Sequence, residues 1–272
     1  MSKRVLPGGD LHEFASLDEF LEADSYDAGL IVIHHLGLPI DIKYDPRGFS
    51  VTTVYFNAAI TNPRLTYPFF TGAGVSEGLP SNRIHIHDPS LYLEGGLKLA
   101  WYAGSSVQPS LQEAIVKILT ALIPRGQRVV LFGSSGGRFA ALLYAASLPN
   151  ALVVPVNPQT DVARYNPRIV ARYAKLAWGV EGEDPISRIP VPLNVLDVYR
   201  RPVSNRVWYV QNSGDTSHVR GHLEPFVDAV HPENDVSVVT VAAGDGHVPP
   251  PRKFISAVLR AAVDDGALPA AP

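Results

Sequence analysis

From residue 30 onward, short runs of β-branched and aromatic residues alternate with segments whose apolar residues recur at helical spacing. Residues 30–34, 40–44 and 51–56 read as successive strands, parted by Gly37 and Pro39 and then by Asp45, Pro46 and Gly48. A stretch of about 25 residues follows, rich in Pro63, Pro68, Gly72, Gly74, Gly78 and Pro80, and a loop that long inside a domain is usually functional. Residues 83–87 predict a strand ending at Asp88 and Pro89. Leu111, Ile115, Ile118, Leu119 and Leu122 then predict a helix over 111–122 that closes at Pro124 and Gly126. A buried strand over 128–132, a glycine-rich turn over 133–137, a helix over 139–148 and a strand over 152–156 come next. Residues 157–205 break the alternation with Tyr165, Tyr173, Leu176, Trp178 and several prolines, and read as an inserted helical cap. The pattern then resumes with strands over 207–211 and 236–241 and helices over 223–230 and 254–263. Before residue 30, the spacing of Leu11, Phe14, Leu17, Phe20 and Leu21 predicts a short surface helix, and the tail over 264–272 is expected to fray. Strand, helix, strand, helix from Arg83 onward implies an α/β class with a mostly parallel sheet covered on both faces. The expected organisation is a single domain over 1–272, with 1–48 as an N-terminal helix and strand extension and 157–205 as the cap.

Composition narrows the chemistry. With 272 residues, 46% hydrophobic and 18% charged, the chain has material for a sizeable core. A net charge of -3 supplies no global positive field, so nucleic acid is not an expected partner. Cysteine is absent, which removes disulfides, thiolate nucleophiles and zinc-thiolate or iron-sulfur sites. Any covalent catalysis must therefore use oxygen or nitrogen. No apolar run approaches the length of a membrane span, and none of signal-peptide length opens the sequence, so the expectation is a cytoplasmic protein.

Gly133-Ser134-Ser135-Gly136-Gly137 satisfies G-x-S-x-G in one register, with Ser135 central. The bare pattern is weak, but an apolar strand, Val129-Val130-Leu131-Phe132, runs into it and a helix leaves it. That strand, turn and helix setting is the one a nucleophile elbow requires. Small residues two positions either side of the serine permit the sharp turn, and the backbone N–H of Gly136 then points where an oxyanion forms. The bland alternative is a phosphate-binding turn, and the Gly-Lys-Ser/Thr ending of a P-loop is missing. An elbow calls for an acid after a later strand and then a histidine. Asp215 follows the expected strand 207–211, and His247 follows the strand 236–241 through a glycine loop. A hydroxyl attacks poorly until an imidazole takes its proton, and a carboxylate fixes the tautomer of that imidazole.

The segment from Ser50 onward resembles the α/β-hydrolase superfamily, with Ser135, Asp215 and His247 on its nucleophile, acid and base positions. More narrowly, Asp88-Pro89-Ser90-Leu91, Ala100-Trp101-Tyr102-Ala103-Gly104 and Asn157-Pro158-Gln159-Thr160-Asp161 are similar to runs in bacterial hydrolase-like proteins associated with polysaccharide synthesis. Where many members carry His-Gly after the third strand, this chain has Phe56-Asn57-Ala58-Ala59, so Asn57 or Ala58 is expected to give the second oxyanion N–H. The resemblance implies a serine hydrolase acting on a small-molecule or glycan-linked acyl ester or thioester, needing neither cofactor nor metal. Acyl transfer to a sugar hydroxyl, or ligand binding without turnover, uses the same frame, and the oligomeric state stays open.

Other polar residues compete for roles. Asp161 follows the strand after the elbow and is the rival acid, while Asp245 stands too close in sequence to His247 to orient it. His218 and His222, spaced i,i+4 after Asp215, are an alternative zinc set that lacks the glutamate of H-E-x-x-H. His85 and His87 are expected to be hydrogen-bonded structural residues.

Overall fold

Side chains alternate across the central strands, and both faces are apolar. In Arg128–Gly133, Val129 and Leu131 enter one buried cluster while Val130 and Phe132 enter another. In Val51–Phe56, Val54 and Phe56 go to the first and Val51 and Tyr55 to the second. A strand buried on both sides needs helices on both faces, which parallel crossovers supply. The computed structural model describes residues 4–6, 8–60, 62, 64–133 and 136–272. In chain order the elements are β1 (Leu11–Phe14), α1 (Leu17–Glu22), β2 (Gly29–His35), β3 (Leu38–Asp45), β4 (Val51–Phe56), α2 (Ala73–Ser76), β5 (Asn82–Ile86), α3 (Leu111–Leu122) and β6 (Arg128–Gly133). They continue with α4 (Gly137–Ala145), β7 (Ala151–Pro155), α5 (Pro167–Trp178), α6 (Leu196–Tyr199), β8 (Arg206–Asn212), α7 (Thr216–His218), α8 (Glu224–Ala229), β9 (Val236–Val241) and α9 (Arg252–Val263).

The sheet order is β1-β2-β3-β5-β4-β6-β7-β8-β9, and β3 alone among these strands runs antiparallel to its neighbours. Helices α3 and α4 pack on the first face, whose cluster also takes in Tyr173 of α5 and Phe226 of α8; α9 covers the second through Phe254, Ile255, Val258 and Leu259. The loops after β4, β6, β8 and β9 therefore emerge at one edge of the sheet, where open α/β sheets bind ligands.

Two expectations are corrected. Residues 11–14 form a strand paired in parallel with β2, and the helix begins only at Leu17. Ser16 caps it by accepting the Glu19 N–H at 3.0 Å, while Glu19 accepts the Ala15 N–H at 2.6 Å, so the start is fixed there by polar contacts that apolar spacing does not show. The tail is held as far as Leu268: Asp265 pairs with Arg128 at 3.1 Å and Arg206 at 2.7 Å, and Leu268 packs on the second cluster. Residues 157–205 carry α5 and α6, with one short 3-10 turn before α5 and another between the two helices. No helix among the described residues is long and apolar enough to cross a membrane.

Candidate active site

The turn after β6 is set by backbone contact. A Cβ on Gly133 would fall on the carbonyl of Gly137, and one on Gly137 would come within 2.6 Å of the carbonyl oxygens of Phe56 and Asn57. Only hydrogen fits at either position, so the start of α4 sits directly on the end of β4. Ser135 and Ser134 lie outside the described residues. Of the expected oxyanion donors, the Asn57 N–H is committed elsewhere, to Tyr102 Oη at 2.5 Å. The N–H groups of Ala58 and Gly136 meet no acceptor among the described residues.

The structure brings Asp215 and His247 together. A carboxylate only accepts, so His247 Nδ1–H donates to Asp215 Oδ2 at 2.7 Å, which leaves His247 Nε2 with its lone pair. Asp215 is buried and His247 is partly exposed, its side chain 38% accessible. Asp215 also caps α7, accepting the His218 N–H at 3.2 Å, and takes a second imidazole bond from His218 Nδ1 at 3.1 Å. Burial pushes the Asp215 carboxyl up, but the hydrogen bond from His247 and the charge interaction with His218 outweigh it and hold it below the usual carboxylate value. His218 is stacked on His247 with ring centroids 4.2 Å apart, and burial, aided by His247, pushes it down to about 4.

Asp161 has a different job. It caps the turn over Val162–Arg164 through the Ala163 N–H and pairs with Arg164 at 3.4 Å, while no hydrogen bond joins it to His247. His222 faces Thr160, whose N–H reaches its Nδ1 at 3.3 Å. The metal-capable group among the described residues is accordingly Asp215, His218 and His247, whose ligand atoms lie within 4.8 Å of one another, rather than the set with His222. His85 and His87 are buried structural residues, bonded to the Thr71 carbonyl at 2.7 Å and to Asn57 Nδ2 at 3.3 Å.

Several residues that hold the site have no motif of their own. Asn212 fastens the acid loop to the histidine loop: its Oδ1 accepts from Gly214 and Ala243, and its Nδ2 donates to the carbonyls of Gly244 and Gly246. Asn157 accepts the Asn212 N–H at 2.6 Å and donates to the Val248 carbonyl at 3.0 Å. Arg138 of α4 reaches the carbonyls of Gly133 and Asn157. Asp88 receives the Tyr102 N–H at 2.7 Å, and Trp101 Nε1 donates to Gln159 at 2.5 Å. The three runs likened to polysaccharide-associated proteins are thus mutually bonded scaffold behind the site. Burial pushes Asp88 up to about 6.

His247 borders a cavity of about 450 Å³ walled by Ala58, Phe132, Arg138 and Arg252. A second cleft of about 770 Å³ runs from Ala59 past Leu99 to Tyr165 and Arg172. A Cβ on Gly136 would strike Leu99, so the two spaces flank the same turn.

A parallel sheet with a glycine-bounded turn after a central strand, and an acid and histidine joined after two later strands, defines the α/β-hydrolase fold, and the chain has it. Among solved structures it is similar to the capsule O-acetyltransferase of Neisseria meningitidis serogroup A, a mutant in complex with CoA. That match has a TM-score of 0.64 at 15% identity and covers 84% of this chain and 95% of that one. It is similar also to the 2,6-dihydroxy-pseudo-oxynicotine hydrolase (TM-score 0.60, 15% identity, 89% of this chain and 70% of that one). A third is an S-formylglutathione hydrolase from Agrobacterium tumefaciens (TM-score 0.54, 12% identity, 90% and 96%). No family model matches the chain, and no curated protein matches it.

Proposed function

We propose that the protein is a serine acyl-enzyme catalyst that cleaves an ester or thioester. The observation that carries this is the 2.7 Å bond between buried Asp215 and partly exposed His247 at the edge of a cavity also lined by Phe132 and Arg138, the residues on either side of the glycine-rich turn. Ser135 is assigned as nucleophile: His247 Nε2 takes its hydroxyl proton as the oxygen attacks the acyl carbon, and the tetrahedral oxyanion is met by the N–H groups of Gly136 and Ala58. Collapse expels the alcohol or thiol, which takes the proton from His247. Asp215 keeps the imidazole in the required tautomer and stabilises its charged form. Water, activated by the same imidazole, then releases the acid.

Transfer of the acyl group to a sugar hydroxyl is the second reading, favoured by the cleft on the other side of the turn and by the likeness to a capsule O-acetyltransferase. Both readings are tested by labelling with a fluorophosphonate probe beside an aryl-ester panel, run with and without a chelator. Label and turnover should vanish in Ser135→Ala, remain in Ser134→Ala and survive chelation. Label persisting in Ser135→Ala, or activity lost in chelator and restored by zinc, would replace the serine with another centre. Acyl-sugar formed in competition with free acid, when an oligosaccharide is added, selects the transferase.

A further inference from the structure

The cavity beside His247 is basic although the chain is not. Arg138, Arg252 and His247 line it and no aspartate or glutamate does, in a protein of net charge -3. Arg138 is the decisive residue. It is only 6% exposed, and among the described residues no carboxylate reaches ion-pair distance from it; Asp215, whose charge attracts it from farther off, is already bonded to two imidazoles. Its Nε and Nη1 give bonds of 3.3 and 3.0 Å to the Gly133 and Asn157 carbonyls, which spends two of the five N–H donors of a guanidinium on neutral acceptors. A charge buried without a direct ion pair is costly, and burial pushes Arg138 down to about 9 despite the attraction of Asp215. Holding the turn would need no charge; a neutral donor such as glutamine could bond the same carbonyls. Arg252, the first residue of α9, is held across the mouth by its 2.5 Å bond to the Gly74 carbonyl, so a second guanidinium is pre-positioned over the same space. Apart from Asn157, the remaining wall, including Ala58, Val75, Phe132 and Ile255, carries no polar side chain. The site thus suits a short apolar segment ending in, or flanked by, an anion.

We propose that the substrate of this site carries an anionic group, a carboxylate or a phosphate, close to its acyl bond, and that Arg138 and Arg252 bind it. This rests on the acyl-enzyme reading for where the bond is broken, while the anion site itself stands on the cavity. An anion there supplies the direct ion pair that Arg138 lacks among the described residues and forms charge-assisted, fork-shaped hydrogen bonds, which fix the substrate relative to His247.

The test compares matched esters on the full chain. p-Nitrophenyl hemisuccinate against the valerate puts the charge on the acyl side. 4-Acetoxybenzoate against its methyl ester puts a carboxylate on the alcohol side, and 4-acetoxyphenyl phosphate puts a phosphate there. At least one anionic member should exceed its neutral partner tenfold or more in kcat/KM, which identifies the source of the charge. That ratio should fall at least fivefold in Arg252→Gln and towards one in Arg138→Gln, with Arg138→Lys recovering part of it. Arg252 is exposed, so its variant keeps the test readable if Arg138→Gln does not fold. Equal use of charged and neutral esters by an active enzyme overturns the proposal. If no ester turns over and no serine labels, the acyl-enzyme reading fails, and calorimetry with succinate and inorganic phosphate decides separately. Binding that is weakened in Arg252→Gln sustains the anion site; absence of binding by both anions overturns it.

Discussion

Asp215 serves two imidazoles at once, His247 at 2.7 Å and His218 at 3.1 Å, and the two rings stack on each other. The consequences for substitution differ. Asp215→Asn leaves the shape but favours the wrong tautomer of His247, so kcat should fall by about 10³ to 10⁴, read by steady-state kinetics on folded protein. Asp161→Asn, at a cap remote from that hydrogen bond, should cost less than about threefold, and the reverse ranking would reassign the acid. His218→Phe keeps an aromatic ring against His247 but removes one bond from the carboxylate, and about a tenfold loss in kcat with KM unmoved is expected. Asp215 and His247 were legible in the sequence because each follows a strand end in the order the elbow demands. Asn212, Arg138 and the pairing of His218 with Asp215 were not, since their meaning lies in hydrogen bonds to partners such as Gly244, 32 positions away from Asn212. Asn57 was expected from the sequence to be an oxyanion donor, and that its N–H is already taken follows only from where Tyr102 comes to rest.

At the scale of elements, the junction of β6 and α4 has no slack. Gly133→Ala or Gly137→Ala would push a methyl into backbone oxygen, and each should lower the melting temperature by several degrees or prevent folding, whereas Gly126→Ala on an open turn should not clash. Gly126 does adopt φ of 80°, so a smaller strain cost is expected there. The strands β4, β6, β7 and β8 were readable from their β-branched and apolar runs because they are buried on both faces, while the edge strand β9 was readable from its valines although it is half exposed. The strand β1 was hidden, because Leu11 and Phe14 fit a helical stripe with Leu17 equally well, and only pairing with β2 decides between them. The helix α5 lies against the loop before the site, with Tyr173 Oη bonded to the Gly104 carbonyl at 3.1 Å and Trp101 packed edge-on to Tyr173. If residues 157–205 restrict the acyl group, Ile169→Gly together with Tyr165→Ala should widen the second cleft and shift the ester chain-length optimum upward. An unchanged profile in the folded variant would remove that role.

For the molecule as a whole, acid should be the weak point. Burial pushes His85 and His218 down to about 4 and His87 and His222 down to about 3. Each is depressed below its unfolded value of about 6.5, so the fold accepts only the neutral ring. Their contribution is complete above about pH 6.5 and is lost as pH falls towards 4, because the unfolded chain binds the protons first. Asp88, raised to about 6, works in the opposite sense over much of that window and cancels about one proton. From these five groups, unfolding near pH 5 should take up about three protons, measurable as the slope of denaturant-derived stability against pH. A flat stability between pH 7 and pH 5 would contradict the burial of these rings.

The clamp on Asp265 has a practical side. Arg128 and Arg206 open β6 and β8, while Gly133 and Asp215 stand at or beyond the far ends of those strands. The chain is thereby anchored at the pole opposite the mouth of the site. A resin, a sensor surface or a fluorescent protein joined after Pro272 would leave that mouth turned outward. Attachment through Gly72 or the helix α2 beside it would instead set the support against the opening.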